Sequence, residues 1–161
     1  MRHPHARCFA RGILGFALAA LGSILVPMAA RAGVDADVRA GVYTDADAVS
    51  VGGGVLTQVG NSNHWYFNPN VELAMGNRKD IVTMNGDFHY DLREGSGPAV
   101  WLGGGPALLV IDREVGSTHT DLGLNVLTGV GKKSGEVRPF AQVKGTMADD
   151  SQISIAGGVR F

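Results

Sequence analysis

The sequence predicts an all-β chain folded as an eight-stranded antiparallel up-and-down transmembrane β-barrel. Three observations predict it. Turn-forming clusters recur roughly every 12 to 16 residues, near 44–47, 60–63, 76–79, 94–98, 115–118, 132–135 and 149–150, and delimit eight segments. Most of those segments alternate apolar and polar residues with period 2, and none carries a 3.6-residue apolar stripe. Glycine, 24 of 161 residues, is at roughly twice its usual ~7% and sits among Val, Leu and Ile without a collagen period.

Residues 1–32 stand apart from this pattern. Arg2, Arg7 and Arg11 precede an almost wholly apolar stretch, 13–29, which Ala30-Arg31-Ala32 closes in the small-x-small form of a secretory signal peptide. The expected organisation is therefore a signal peptide, 1–32, and a barrel domain, 33–161. The apolar stretch is short for a spanning helix of ~20 residues and contains Pro27. Cys8, the single cysteine, lies before the apolar stretch, not at its end where a lipid would be attached.

Residues 33–161 hold ten Lys and Arg against fifteen Asp and Glu, a formal charge of −5. Such a chain has no basic stripe for nucleic acid, and without cysteine it forms neither disulfides nor thiolate metal sites.

Each segment can be given two faces. The first sets Val34, Ala36, Val38, Ala40 and Val42 against Asp35, Asp37, Arg39 and Tyr43; the second sets Val49, Val51, Val55 and Val59 against Ser50, Gly52, Gly54 and Gln58. In the third, Trp65, Phe67, Val71, Leu73 and Met75 oppose Tyr66, Asn68, Asn70 and Glu72. In the fourth, Val82, Met84, Phe88, Tyr90 and Leu92 oppose Thr83, Asn85, Asp87, His89 and Asp91. The fifth, 99–112, is apolar on both faces and its phase is ambiguous. The last three carry apolar faces of Leu122, Leu124, Val126 and Val130, then Val137, Ala141, Val143 and Met147, then Ile153, Ile155, Val159 and Phe161.

Alternation alone leaves two architectures: a soluble barrel with the apolar face inside, or a membrane barrel with that face toward lipid. Length favours the second. Segments of ~11 to 13 residues, at ~3.3 Å each and ~40° tilt, rise far enough for an apolar band of ~25 Å. Charges of both signs on the polar face suit a narrow, internally paired lumen. With the N-terminus in the periplasm, large aromatics gather at one rim, and Trp65, Phe67, Tyr90, Trp101 and Phe161 are the expected interface set. Phe140 points inward by its phase, and the other rim has little beyond Tyr43.

The closing residues Gln152-Ile153-Ser154-Ile155-Ala156-Gly157-Gly158-Val159-Arg160-Phe161 resemble the terminal strand of Gram-negative outer-membrane barrels, which end in Phe with apolar residues at alternate preceding positions. With the apparent signal peptide, the whole chain is similar in plan to the small eight-stranded barrels of that family, the outer membrane protein A and X type. The resemblance implies residence in the cell outer membrane, contact with its lipid, and barrel-assembly machinery reading Phe161, Val159, Ile155 and Ile153 as an assembly signal. The chain departs from the family in its short outer loops, the first about 44–47 and the longest about 112–120.

The candidate lumen charge network is Arg39, Glu72, Asp87, His89, Arg138 and Lys144, with a structural reading favoured because buried ions need partners. A barrel of eight strands is filled by side chains, which argues against an open pore. A lipid A-modifying enzyme would need a Ser, a His and a carboxylate together. Only His119 with Ser117 and Asp121 offers such a triplet, in a short polar loop. Asp87, His89 and Asp91 alternate along one strand, ~7 Å apart, loose spacing for one metal ion. No cofactor, metal or catalytic residue is expected. Gly52-Gly53-Gly54 and Gly103-Gly104-Gly105 lack the Lys-Ser/Thr of a phosphate loop. The principal alternative is a soluble periplasmic barrel that binds an apolar ligand against its Val, Leu and Ile face.

Overall fold

Period-2 alternation makes every strand two-faced, and a sheet of such strands has no edge to protect only if it closes on itself. A computed structural model, which describes residues 33–77, 79–93, 97–113 and 118–161, shows that closure. The expected signal peptide lies outside the described residues. The strands are β1 (Val34–Tyr43), β2 (Ala48–Gln58), β3 (Trp65–Gly76), β4 (Lys79–Asp91), β5 (Ala99–Arg113), β6 (His119–Gly131), β7 (Arg138–Met147) and β8 (Gln152–Arg160). Each pairs antiparallel with the next, and β8 pairs back with β1 from Asp37↔Arg160 to Tyr43↔Ser154. The Phe161 amide extends that seam by donating to the Ala36 carbonyl at 2.9 Å.

The near end of the barrel carries the start of β1 and the β2–β3, β4–β5 and β6–β7 connections. The far end carries the β1–β2, β3–β4, β5–β6 and β7–β8 connections. In the first far-end turn Asp47 takes a left-handed φ of 48°, tolerated by Asp, and Asp45 Oδ2 accepts from the Ile153 amide at 2.8 Å.

The outward face is apolar and uncharged between the two rims. Val38, Val49, Met84, Leu102, Leu124, Val126, Val143 and Ile155 are all exposed on it, and Leu122 reaches 81%. Water would penalise a continuous apolar belt of this kind at ~25 cal/mol per Å². The soluble alternative is overturned here: the Val, Leu and Ile face that was to line a ligand cavity points out of the barrel, and charged side chains lie inside.

Pairing decides the phase that the fifth segment leaves open. Asp91↔Trp101 and Trp101↔Gly129 put the odd-numbered residues of β5 inward, so Trp101, Leu109 and Ile111 are buried and Leu102 is exposed. Trp101 is thereby removed from the expected interface set. It is 3% exposed, because Gly129 on the neighbouring strand leaves an indole-sized space inside. Tyr43 also turns inward.

Candidate functional site

The interior is stacked in three layers. At the far end, Tyr43, Ala46, Ala48, Ala74, Ile81, Ala107, Leu109 and Ile111 form an apolar cluster on the β1 to β5 side. At the near end, Ala99, Trp101, Leu127 and Phe140 form a second. Between them lies a polar layer whose members come from β1, β3, β4, β6 and β7, each on an inward position of its strand.

Three carboxylates organise that layer. Asp37 Oδ1 accepts from Arg39 Nε at 2.9 Å and from Nη2 at 2.6 Å, and its Oδ2 accepts from Asn68 Nδ2 at 3.0 Å. Glu72 accepts from Lys144 Nζ at 2.6 Å, from the Tyr43 hydroxyl at 2.8 Å and from Arg39 Nη1 at 3.5 Å. Asp87 accepts from Asn125 Nδ2 at 2.7 Å and Asn70 Nδ2 at 2.9 Å, with Lys144 Nζ 3.9 Å away. Amide chains connect these centres: Asn85 donates to Asn70, Asn125 to Asn85, and Thr146 to Asn125, at 2.9, 2.9 and 2.7 Å. Each charge of this central layer is therefore met by opposite charge or by several donors, the condition for an ion to remain in a low-dielectric interior.

Of the six expected network residues, the structure brings together Arg39, Glu72, Asp87 and Lys144. It places the other two elsewhere. His89 is buried but stacks on Trp101, with ring centroids 5.8 Å apart and an interplanar angle of 6°. Arg138 stands at the near rim and pairs with Asp35 at 2.6 Å, because its place at the first residue of β7 cannot reach the central layer. Charge alone does not single out the asparagines Asn68, Asn70, Asn85 and Asn125, although an amide can both donate and accept and so links carboxylates without adding charge. Four Asn on inward positions of β3, β4 and β6 were the available signal.

Outside the barrel at the near end, Trp65 meets Tyr90 edge-on at 5.0 Å and Phe67 meets Phe88 at 4.8 Å, in register across β3 and β4. Phe161 is exposed at the same end, with Val159, Ile155 and Ile153 on the same face of β8. Asp87, His89 and Asp91 do not converge: Asp91 pairs with Lys133 at 3.1 Å, and among the described residues no group of metal-ligating side chains is large enough to hold an ion. His119 Nε2 lies 3.1 Å from Asp121 Oδ2, while Ser117 is outside the described residues.

At the far rim, Lys79 Nζ donates to both oxygens of Asp150, at 3.0 and 2.9 Å, and Arg113 Nη2 donates to Oδ2 at 3.2 Å. Partial burial alone would raise the Asp150 carboxyl. The Lys79 and Arg113 charges outweigh it and hold the carboxyl below its ordinary value. A lowered folded-state value contributes stability above the unfolded carboxylate range and loses it as pH falls through the folded value. The expected result for Asp150→Asn is a loss of up to about 1 kcal/mol at neutral pH, the range of a partly exposed pair. Urea titrations should show the difference from wild type shrinking in acid.

A closed, eight-stranded, all-antiparallel barrel with an uncharged apolar exterior and a hydrogen-bonded polar interior is the architecture of a transmembrane β-barrel. The chain has the fold of the small outer-membrane barrels. It is similar to the N-terminal β-barrel domain of Pseudomonas aeruginosa OprF, with a TM-score of 0.63 and 13% identity over 80% of this chain and 96% of that one. Neisserial surface protein A (NspA) matches with a TM-score of 0.58 and 19% identity, over 79% of this chain and 92% of that one. A de novo designed transmembrane β-barrel matches with a TM-score of 0.51 and 12% identity over 80% and 93% of the two chains. No protein-family profile and no curated protein matches the sequence.

Proposed function

We infer that the protein is exported through its N-terminal signal peptide and resides in the cell outer membrane as an integral barrel with a structural, non-catalytic role and a polar, side-chain-filled lumen. The observation that carries this reading is the exterior: among the described residues no charged side chain interrupts the outward face between the rims, while the charges of the central layer are paired inside. The aromatic set Trp65, Phe67, Tyr90 and Phe161 would sit at the periplasmic interface, where ring bodies are apolar and their edges wet. The layered interior supports a barrel without an open pore. Lipid is the partner of the outer face, and Phe161 with Val159, Ile155 and Ile153 would present the terminal strand to the assembly machinery. Deleting Phe161 should leave unassembled protein in the periplasm of producing cells, and normal heat-modifiable mobility of that variant on unboiled gels would count against the assembly signal.

The two tryptophans provide the test of membrane residence. After refolding into lipid vesicles, a Trp101→Phe variant, which emits from Trp65 alone, should be quenched by lipids brominated near the headgroup. A Trp65→Phe variant, which emits from the buried Trp101, should be quenched little. Equal, weak quenching of both variants, with recovery of the protein in the soluble fraction, would overturn the membrane reading.

A further inference from the structure

The near mouth holds a small pocket that the polar layer does not use. It has a volume of about 60 Å³ and is lined by Tyr66, His89, Trp101, Lys133, Arg138 and Arg160, among others. Residues of its lining carry buried polar atoms that have no partner. Among the described residues, Arg160 Nε and Nη2, Arg138 Nε, Trp101 Nε1 and His89 Nε2 are buried without a hydrogen-bond partner.

Unsatisfied buried polar atoms are rare, and five on the lining residues of one cavity call for an occupant. Three properties define it. The first is polarity: arginine and the indole N–H only donate, so the occupant accepts. The second is shape. Arg160 lies over the rings of Trp101 and Phe140, its guanidinium carbon 4.6 Å from each centroid, and the stacking fixes its plane. The atoms left open, Nε and Nη2, form the side of the guanidinium that meets two oxygens of one carboxylate or phosphate group.

The third is charge. Around the pocket, Asp35 is engaged by Arg138 and Asp91 by Lys133, whereas Arg160, 7% exposed, has no ion pair among the described residues. Lys132 adds a further positive charge to the lining. The mouth therefore carries an excess of positive charge in a barrel that is acidic over residues 33–161. Water could satisfy the donors, but it cannot balance a buried guanidinium. The volume admits one such group and not a drug-sized ligand of ~300 Å³ or more.

The geometry points to a binding site for a single oxyanion group of phosphate size at the near mouth. Two oxygens accept side-on from Arg160, and Trp101 Nε1 and Arg138 Nε complete the cradle. The group is either a free anion or the phosphate of a lipid headgroup that reaches the rim; the chemistry of recognition is the same.

Trp101 is in the wall of the site and reports on it. The Trp65→Phe variant, refolded into neutral detergent and checked for heat-modifiable mobility, is titrated with inorganic phosphate at constant ionic strength set by chloride. A saturable change in Trp101 emission is expected, with apparent affinity at least tenfold weaker after Arg160→Gln and also reduced after Arg138→Gln. If Arg160→Gln does not fold, Arg138→Gln at the rim decides. A second arm uses phosphatidylcholine vesicles with and without phosphatidic acid: a response there and none to free phosphate supports the site and assigns the lipid source. No response in either arm, or a response undiminished in the variants that fold, would overturn the proposal. Because the first arm is run in micelles on verified barrels, that result would leave the membrane reading untouched.

Discussion

Replacing Glu72 by Leu should cost the barrel about 3–5 kcal/mol, the range for removing one partner of a buried ion pair. Glu72 is 3% exposed and is the single carboxylate on which Lys144, Arg39 and the Tyr43 hydroxyl converge. Its loss leaves Lys144 with only the more distant Asp87, at 3.9 Å, and strands the Tyr43 hydroxyl beside Thr83 at 3.4 Å. Urea unfolding of protein refolded into lipid vesicles, followed by gel mobility and tryptophan emission, measures the change. Glu72→Gln should cost less, since the amide keeps an acceptor. Adding Lys144→Met to Glu72→Gln should recover part of that loss, because it removes the cation left uncompensated; this non-additivity is the signature of direct coupling. A Glu72→Leu barrel that unfolds at the wild-type urea concentration would mean that the interior network contributes no stability.

The second large effect is expected from filling the space beside Trp101. A Cβ on Gly129 would collide with Cζ2 and Cε2 of the Trp101 indole and lie 2.8 Å from the Ala141 carbonyl oxygen, so even alanine forces movement there. Gly129→Leu should destabilise by about 1–3 kcal/mol or more, the cost of overpacking a filled core, and should move Trp101 out of its stack on His89. In the Trp65→Phe background the emission should shift to the red. Trp101→Phe should relieve part of the cost by making room. Gly145→Ala supplies the contrast, since its added methyl would meet no atom closer than 4.0 Å and should change little. A folded Gly129→Leu barrel with unshifted Trp101 emission would show that the near-end aromatic layer is loosely packed.

These two sites differ in how far the sequence reveals them. Glu72 is legible: it alternates with Val71 and Leu73, and any arrangement that buries those two on one face puts Glu72 on the other. The same reasoning places Arg39, Asp87 and Lys144 on the polar face of their strands. Trp101 is not legible, because Val100, Trp101 and Leu102 are all apolar and period 2 carries no phase where both faces are alike. Only the partner strands break the tie, by setting Gly129 opposite the indole. Arg138 shows a different limit. Its face is readable, but whether an inward residue reaches the central layer depends on its height in the barrel, which strand stagger sets. The pocket at the near mouth is legible least of all. Arg160, Arg138, Trp101 and His89 come from four strands, and no spacing in the sequence announces that their donors are left without acceptors.

By itself the sequence determined the fold class, the number of strands and the two faces of seven of them, because turn chemistry and side-chain alternation are local properties that each segment carries alone. The tertiary structure decided which face is the exterior, the phase of β5, which polar residues share a network and which remain unpaired at the mouth. Those are properties of closure: a barrel fixes curvature, stagger and register together, and only when β8 meets β1 do side chains from distant segments acquire a common interior.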